Sequence, residues 1–237
     1  MTKGGVGVLK LEDALIVQDN FQLLADFTLE PSRKYAVIGP SGAGKSTLLG
    51  ALCGFVPLAS GKMLWQGENI TDASPAERPM TMLFQDNNLF PHLSVLQNVG
   101  LGIRPDLGMS AADHLRINEA LERVDLSDFA RAKPGSLSGG QQSRVALARV
   151  LVQARPLVLL DEPFAALGPA LRNEMLDLVQ DTVVQTGAAL VMVTHAPDDV
   201  RRIADDVIFV EGGRAQAPRP ARALMDDPPP ELRTYLG

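Results

Sequence analysis

Nine consecutive residues, Gly39, Pro40, Ser41, Gly42, Ala43, Gly44, Lys45, Ser46 and Thr47, have the types and spacing needed to hold a phosphate chain. They fit the pattern G-x-x-x-x-G-K-[ST], the phosphate-binding loop (Walker A) of nucleotide hydrolases. Glycines let backbone N–H groups turn inward around an anion, and a helix that starts at the loop adds the positive end of its dipole. Lys45 is placed to reach β- and γ-phosphates, and Ser46 to offer its hydroxyl to Mg²⁺. A second cluster closes the apolar run 157–160, which ends in Asp161 and Glu162. The carboxyl ends of parallel strands are where open α/β sheets place ligands. Asp161 is expected to hold Mg²⁺ through water there, and Glu162 to orient or deprotonate an attacking water. On their own, two acids at a strand end as often mark an exposed terminus. Beside a phosphate loop they point to hydrolysis of a nucleoside triphosphate.

A third stretch, Leu137, Ser138, Gly139, Gly140 and Gln141, puts a hydroxyl and free N–H groups at a helix start, where they serve an anion or simply cap the helix. Followed by Gln142, Ser143, Arg144, Val145, Ala146, Leu147, Ala148 and Arg149, it carries the signature of the ATP-binding-cassette (ABC) family. The chain resembles that family over nearly its whole length. The resemblance implies ATP and Mg²⁺ as ligands and adds two catalytic candidates. Gln85 matches the glutamine that senses the γ-phosphate and Mg²⁺ at the hinge to a helical insertion. His195, after Val193 and Thr194, matches the switch histidine that contacts the γ-phosphate and positions the nucleophile with Glu162. The resemblance also implies a head-to-tail dimer. Ser138, Gly139, Gly140 and Gln141 of one copy would close on ATP held by residues 39–47 of the other, so each chain supplies half of each site.

Two departures from the family pattern stand out. Where the family continues Ser-Ala-Leu-Asp after the two acids, this chain has Ala165, Ala166, Leu167 and Gly168, and an interface carboxylate is missing. Where the family stacks adenine on an aromatic ring, spacing leads to Gln18, with Phe21 the nearest aromatic. Phe21 as adenine platform stands beside Phe21 as core packing.

Among ABC proteins, a single cassette with no fused span and no long coiled-coil insertion resembles a separate importer subunit. By that resemblance the segment after Gln85 forms a groove for a cytoplasmic helix of an integral membrane permease, with Leu89, Phe90, Pro91 and Leu93 as apolar contacts. The run 84–90 and the Gly-Leu-Gly at 100–102 most closely resemble the ATP-binding subunits of bacterial thiamine importers. That implies a peripheral place on the cytoplasmic face of the inner membrane, a periplasmic substrate-binding protein as an indirect partner, and thiamine or its phosphate esters as cargo. An importer of another small solute, and a soluble ABC ATPase outside transport, are the alternatives.

These residues need a scaffold, and the patterning supplies one. Residues 8–11, 14–17, 21–24 and 27–29 read as strands, with turns at Asp19-Asn20 and Pro31-Ser32. Residues 35–38 form a buried strand before the phosphate loop, 47–53 a helix after it, and 62–66 a further strand ended by Gly67. Ser110 and Ser138 each open a helix. Strand, helix and strand then alternate: 157–160, a helix begun by Pro169 that buries Leu171, Met175, Leu178 and Thr182, then 188–193 and 207–210. The proline-containing tail reads as partly irregular. The expected class is α/β: a phosphate-loop (RecA-like), mostly parallel sheet with an N-terminal antiparallel β subdomain and an inserted helical subdomain. The expected division is a nucleotide-binding core of residues 1–85 and 151–237, with helical residues 86–150 between them.

Composition agrees with this outline. The chain of 237 residues is 46% apolar, enough for a large core. A formal charge of −6 and a pI near 5.1 argue against a nucleic-acid partner. Cys53 is the only cysteine, which excludes an intrachain disulfide, and its place after the phosphate loop reads as buried. Residues 1–7 lack the pattern of a leader peptide, and no apolar run reaches the ~20 residues that span a bilayer.

Overall fold

A computed structural model describes residues 8–236. The expectation about a leader peptide falls on residues 1–7, outside the described residues. The chain opens with a long hairpin, β1 (Leu9–Gln18) and β2 (Phe21–Leu29), turned at Asp19 and Asn20. The four short strands expected here are two continuous ones. Asp13, in the left-handed region at φ 44°, makes a bulge between Leu11 and Ala14 that reads as a break in the sequence. Next come β3 (Lys34–Ile38), the phosphate loop and α1 (Lys45–Cys53). Strand β4 (Leu58–Trp65) returns along β1 and carries the short β5 (Glu68–Asn69), and β6 (Met80–Leu83) crosses to the far side of the molecule.

Three helices follow: α2 (Val95–Gly100), α3 (Ala111–Arg123) and α4 (Gly139–Leu151). Ser94, Ser110 and Ser138 each cap one of them in a reciprocal capping box. Their apolar faces meet in a cluster that includes Val95, Val99, Ile117, Leu121, Val145, Ala148 and Val152. The chain then resumes βα alternation with β7 (Leu157–Asp161), α5 (Pro169–Thr186), β8 (Ala189–Val193), α6 (Pro197–Ile203) and β9 (Asp206–Glu211). The buried face of α5 is Met175, Leu176, Val179, Thr182 and Val183, rotated from the expected stripe so that Leu171 and Leu178 are only half-buried. After the turn at Gly212 and Gly213 come β10 (Arg214–Ala215), β11 (Arg219–Pro220), α7 (Ala221–Asp226) and α8 (Pro230–Leu236). The tail is partly irregular as expected, at 216–218 and 227–229, with two short helices between and after those stretches.

The strands form one sheet in the order β5-β4-β1-β2-β10-β9-β3-β8-β7-β6, with β11 on the side of β9. The block β9-β3-β8-β7-β6 is parallel, while β5-β4-β1-β2 is antiparallel. Strand β10 joins the two blocks, parallel to β2 and antiparallel to β9. Strands β7 and β8 are buried throughout, as two-faced parallel strands must be. The phosphate loop, the acids and His195 therefore leave the carboxyl ends of neighbouring strands, β3, β7 and β8 respectively, while residues 138–141 start α4. Among the described residues no helix is long and apolar enough to cross a membrane.

Candidate functional site

An open cleft of about 570 Å³ lies over the end of β3, lined by Ser41, Gly42, Gly44, Lys45, Ser46 and Thr47 on one side and by Glu162 and His195 on another. The turn 18–21 of the first hairpin closes its third side. Gly39, Gly42 and Gly44 all have positive φ, the backbone conformation that lets such a loop wrap around an anion. Gly44 precedes α1 directly, and a Cβ there would come within 2.4 Å of the Phe21 ring. Phe21 thus packs across the phosphate loop, and Gln18 accepts a hydrogen bond from the Thr47 hydroxyl at 3.3 Å. Both adenine-side candidates border the cleft.

Lys45 is buried and folded back over its own loop, donating to the carbonyls of Gly39 at 2.7 Å and Pro40 at 2.9 Å. Burial lowers its pKa, while the nearby carboxylates of Glu162 and Asp161 pull the other way. Ala43 N–H closes a turn onto Pro40 O. Ser46 Oγ donates to Asp161 Oδ1 at 3.2 Å, joining the first turn of α1 to the end of β7. Burial pushes the Asp161 carboxyl up, the Ser46 hydrogen bond opposes this, and Glu162 adds to it. A hydroxyl and a buried carboxylate meeting at the phosphate loop form a hard-oxygen pair that fits Mg²⁺. The cation would also relieve the charge that burial disfavours.

Glu162 has φ 46°, a left-handed conformation that a side chain rarely adopts. It turns the chain out of β7, and its N–H donates to Val193 O, the last residue of β8. The carboxylate then meets His195, with Oε1 2.6 Å from Nε2. Two residues taken from separate motifs are thus a contacting pair facing the phosphate loop. Thr194, next to His195, is buried and donates to Asp199 Oδ2 at 2.7 Å, and Arg172 on α5 donates to the same oxygen at 3.1 Å.

The other candidates stand apart from this cleft. Gln85 follows β6 by two residues, is exposed, and is not among the residues lining the cleft. Its loop is held by Arg149 of α4, which donates to the carbonyls of Asn87 at 2.6 Å and Asn88 at 2.7 Å. Ser138 and Gly139 are exposed at the start of α4, away from the cleft of their own chain. The Ser138 hydroxyl accepts from Gln141 N–H, and Gln141 Oε1 accepts from Ser138 N–H at 2.9 Å. Gly140 is buried against Leu171 of α5. In the expected groove, Leu89 packs inward while Phe90 is 46% exposed. Phe90 meets His92 edge-on at 6.0 Å, and another exposed ring, Phe55, packs on Phe84 at 5.6 Å.

Sequence patterning missed two supporting residues. Arg78 is buried and donates to Ala51 O and Leu52 O at 2.7 Å, tying the last turn of α1 to the carbonyls of Ala73 and Thr71. Asn98 is fully buried and bonds the backbone of Phe90, Leu93 and Ser94, which fixes the loop before α2. A lone Arg or Asn has no periodic or motif signal. Its partners come from other turns of chain.

Comparison with known proteins agrees with this geometry. The family model described as ABC transporter matches residues 24–165. The chain is 57% identical, over 97% of its length and all of the relative's, to the thiamine import ATP-binding protein ThiQ of Cereibacter sphaeroides. It is 55% identical over the same shares to the protein of that name from Ruegeria sp.. Against the one from Yersinia pseudotuberculosis it is 45% identical, over 92% of this chain and 93% of that one. Among solved structures, an ATP-binding cassette of an ABC transporter shares the fold at TM-score 0.86 and 23% identity, covering 98% of this chain and 99% of that one. A bacterial ABC transporter cassette solved as a dimer matches at TM-score 0.78 and 28% identity, over 90% of this chain and 99% of that one. With a matched family model, near-full-length relatives and a cleft of the right chemistry, the chain belongs to the ABC transporter family as an ATP-binding cassette.

Proposed function

We propose that the chain is the ATP-hydrolysing subunit of a bacterial importer for thiamine or its phosphate esters, seated peripherally on the cytoplasmic face of the inner membrane. The observation that carries the hydrolytic part is the Glu162–His195 pair, 2.6 Å apart, facing the cleft that Lys45 and Ser46 line. The backbone N–H groups of residues 39–47 receive the β- and γ-phosphates of ATP. Lys45 Nζ exchanges the carbonyls of Gly39 and Pro40 for phosphate oxygens. Ser46 and Asp161 would hold Mg²⁺, with Gln85 reaching it only if its loop moves in toward the cleft, and the bound ion would neutralise charge building on those oxygens. Glu162 takes the proton of the attacking water, and His195, through its contact with Glu162, holds that carboxylate in place beside the γ-phosphate.

A second copy completes each site with its Ser138, Gly139, Gly140 and Gln141, and supplies what the exposed α4 start lacks in its own chain. ATP favours the closed dimer because it contacts both halves only there, and hydrolysis releases it. Residues 86–150 act as a helical subdomain against a core of 1–85 and 151–237, supported by the separate apolar cluster of α2, α3 and α4. The exposed rings of Phe55 and Phe90 offer the permease its contact. The name shared by the near-full-length relatives supports thiamine as cargo, and a periplasmic binding protein would deliver it.

The test is the purified complex. The chain should co-purify with an integral membrane permease, and thiamine-loaded binding protein should raise its ATPase activity. Glu162→Gln should lower kcat by about 10²–10⁴-fold while ATP binding is kept, the usual worth of a general base. Stimulation by another solute would replace the cargo, and a chain that binds no permease would replace the transport role.

A further inference from the structure

The phenolic oxygen of Tyr235 lies 3.2 Å from Nδ1 of His195, across the ring from the contact between Nε2 and Glu162. No motif in the sequence includes Tyr235. It is carried by α8, which is anchored by the fully buried Leu232 in a cluster with Ile38, Val200, Phe209 and Leu224. The Tyr235 ring also packs against Phe209, centroids 6.5 Å apart at 48°. Phe209 on β9 is the register partner of Ile38 on β3, directly before the phosphate loop. Burial raises the Tyr235 pKa against the opposing influence of the Gly39 backbone, so the phenol keeps its proton at neutral pH.

Each ring nitrogen of His195 has its own partner, Glu162 at Nε2 and Tyr235 at Nδ1. A carboxylate oxygen accepts, so the ring serves Glu162 when its proton is on Nε2. A neutral imidazole with Nε2–H leaves Nδ1 as an acceptor in need of a donor. The phenol has one O–H, and its oxygen lies 3.2 Å from Nδ1. That O–H is the donor Nδ1 faces.

We propose that Tyr235 is a positioning residue for His195: its hydroxyl donates to Nδ1 and holds the ring as the Nε2–H tautomer, with the donor turned toward Glu162 and the phosphate loop. This rests on Glu162 and His195 acting as the catalytic pair. A ring flipped by half a turn would face Tyr235 with a carbon and lose both contacts. Helix α8 thereby becomes part of the catalytic frame.

The full-length chain carrying Tyr235→Phe tests this, because phenylalanine keeps the ring, the packing on Phe209 and the anchoring of α8. The KM for MgATP should stay within about twofold. The kcat should fall about tenfold, the low end of what losing an orienting partner of a histidine costs. The ¹⁵N spectrum of His195 should show a hydrogen-bonded Nδ1 acceptor in the parent, and that resonance should move downfield to the position of an unbonded ring nitrogen in the variant. An unchanged Nδ1 resonance overturns the proposal, and so does an unchanged kcat with a shifted resonance. The spectrum needs no turnover. If Glu162→Gln stays active, the catalytic pairing fails instead, and the two failures are told apart.

Discussion

Asp161 and Glu162 are neighbours with opposite surroundings, and the difference assigns their work. Asp161 ends β7 in a buried place and bonds Ser46, while Glu162 is turned out of the strand at φ 46° toward His195. A left-handed non-glycine residue costs of order 1 kcal/mol or more, and such strain gathers at functional sites. Here it aims a carboxylate into the cleft rather than along the sheet. Asp161 has a measurable consequence for stability. Burial holds its folded-state pKa above its unfolded value, so the folded chain binds that proton more tightly. Stability from this group is present below the unfolded pKa and is lost as pH rises through the window up to the folded value. Without ligand, Asp161→Asn should therefore raise the melting temperature at neutral pH, and the gap to the parent should shrink on acidification. A gap that stays constant with pH would mean that charge is not the cause.

Helix α5 shows at the next scale how a missing side chain alters an element. Gly168 is its N-cap, at φ −65° and ψ 159°, with no side-chain hydrogen bond and nothing within 4 Å of where a Cβ would be. Gly168→Asp therefore fits without strain and supplies a cap and a favourable charge at a helix start. The expected gain is a few tenths to about 1 kcal/mol in denaturant unfolding. The same change restores the interface carboxylate of the family pattern, so ATPase rate or its coupling to transport should rise. Equal ATPase activity in parent and variant would count against that role.

The elements also show what a sequence exposes. The phosphate loop, the acids of β7 and the three serine caps are legible because each depends on residues within a few positions of one another. The bulge at Asp13 hid the continuity of β1, and α5 carries apolar residues on adjoining stripes, of which the one through Met175, Leu176, Val179 and Val183 is buried and the expected one only partly. Arg78, Asn98 and Tyr235 were not legible. Each works through partners brought near by the fold: α1 for Arg78, the loop at 90–94 for Asn98, and His195 for Tyr235.

For the whole molecule, the decisive fact is separation. The cleft holds residues 41–47, Glu162 and His195, while Ser138 and Gly139 are exposed elsewhere at the start of α4. Arg149 on that helix grips the carbonyls of Asn87 and Asn88 beside Gln85, so the signature helix and the glutamine loop are mechanically joined. Closing a second copy onto the cleft would move both together, next to the exposed Phe90. A shared site of this kind predicts complementation between two dead chains. Lys45→Ala removes the phosphate contact, and Ser138→Arg blocks the signature. In a mixed dimer, one site pairs the intact loop of one chain with the intact signature of the other. The most direct measurement is the ATPase rate of each variant alone and of the two mixed. Both should be inactive alone and active when mixed. Persistent inactivity of the mixture, or full activity of Ser138→Arg by itself, would contradict the shared site.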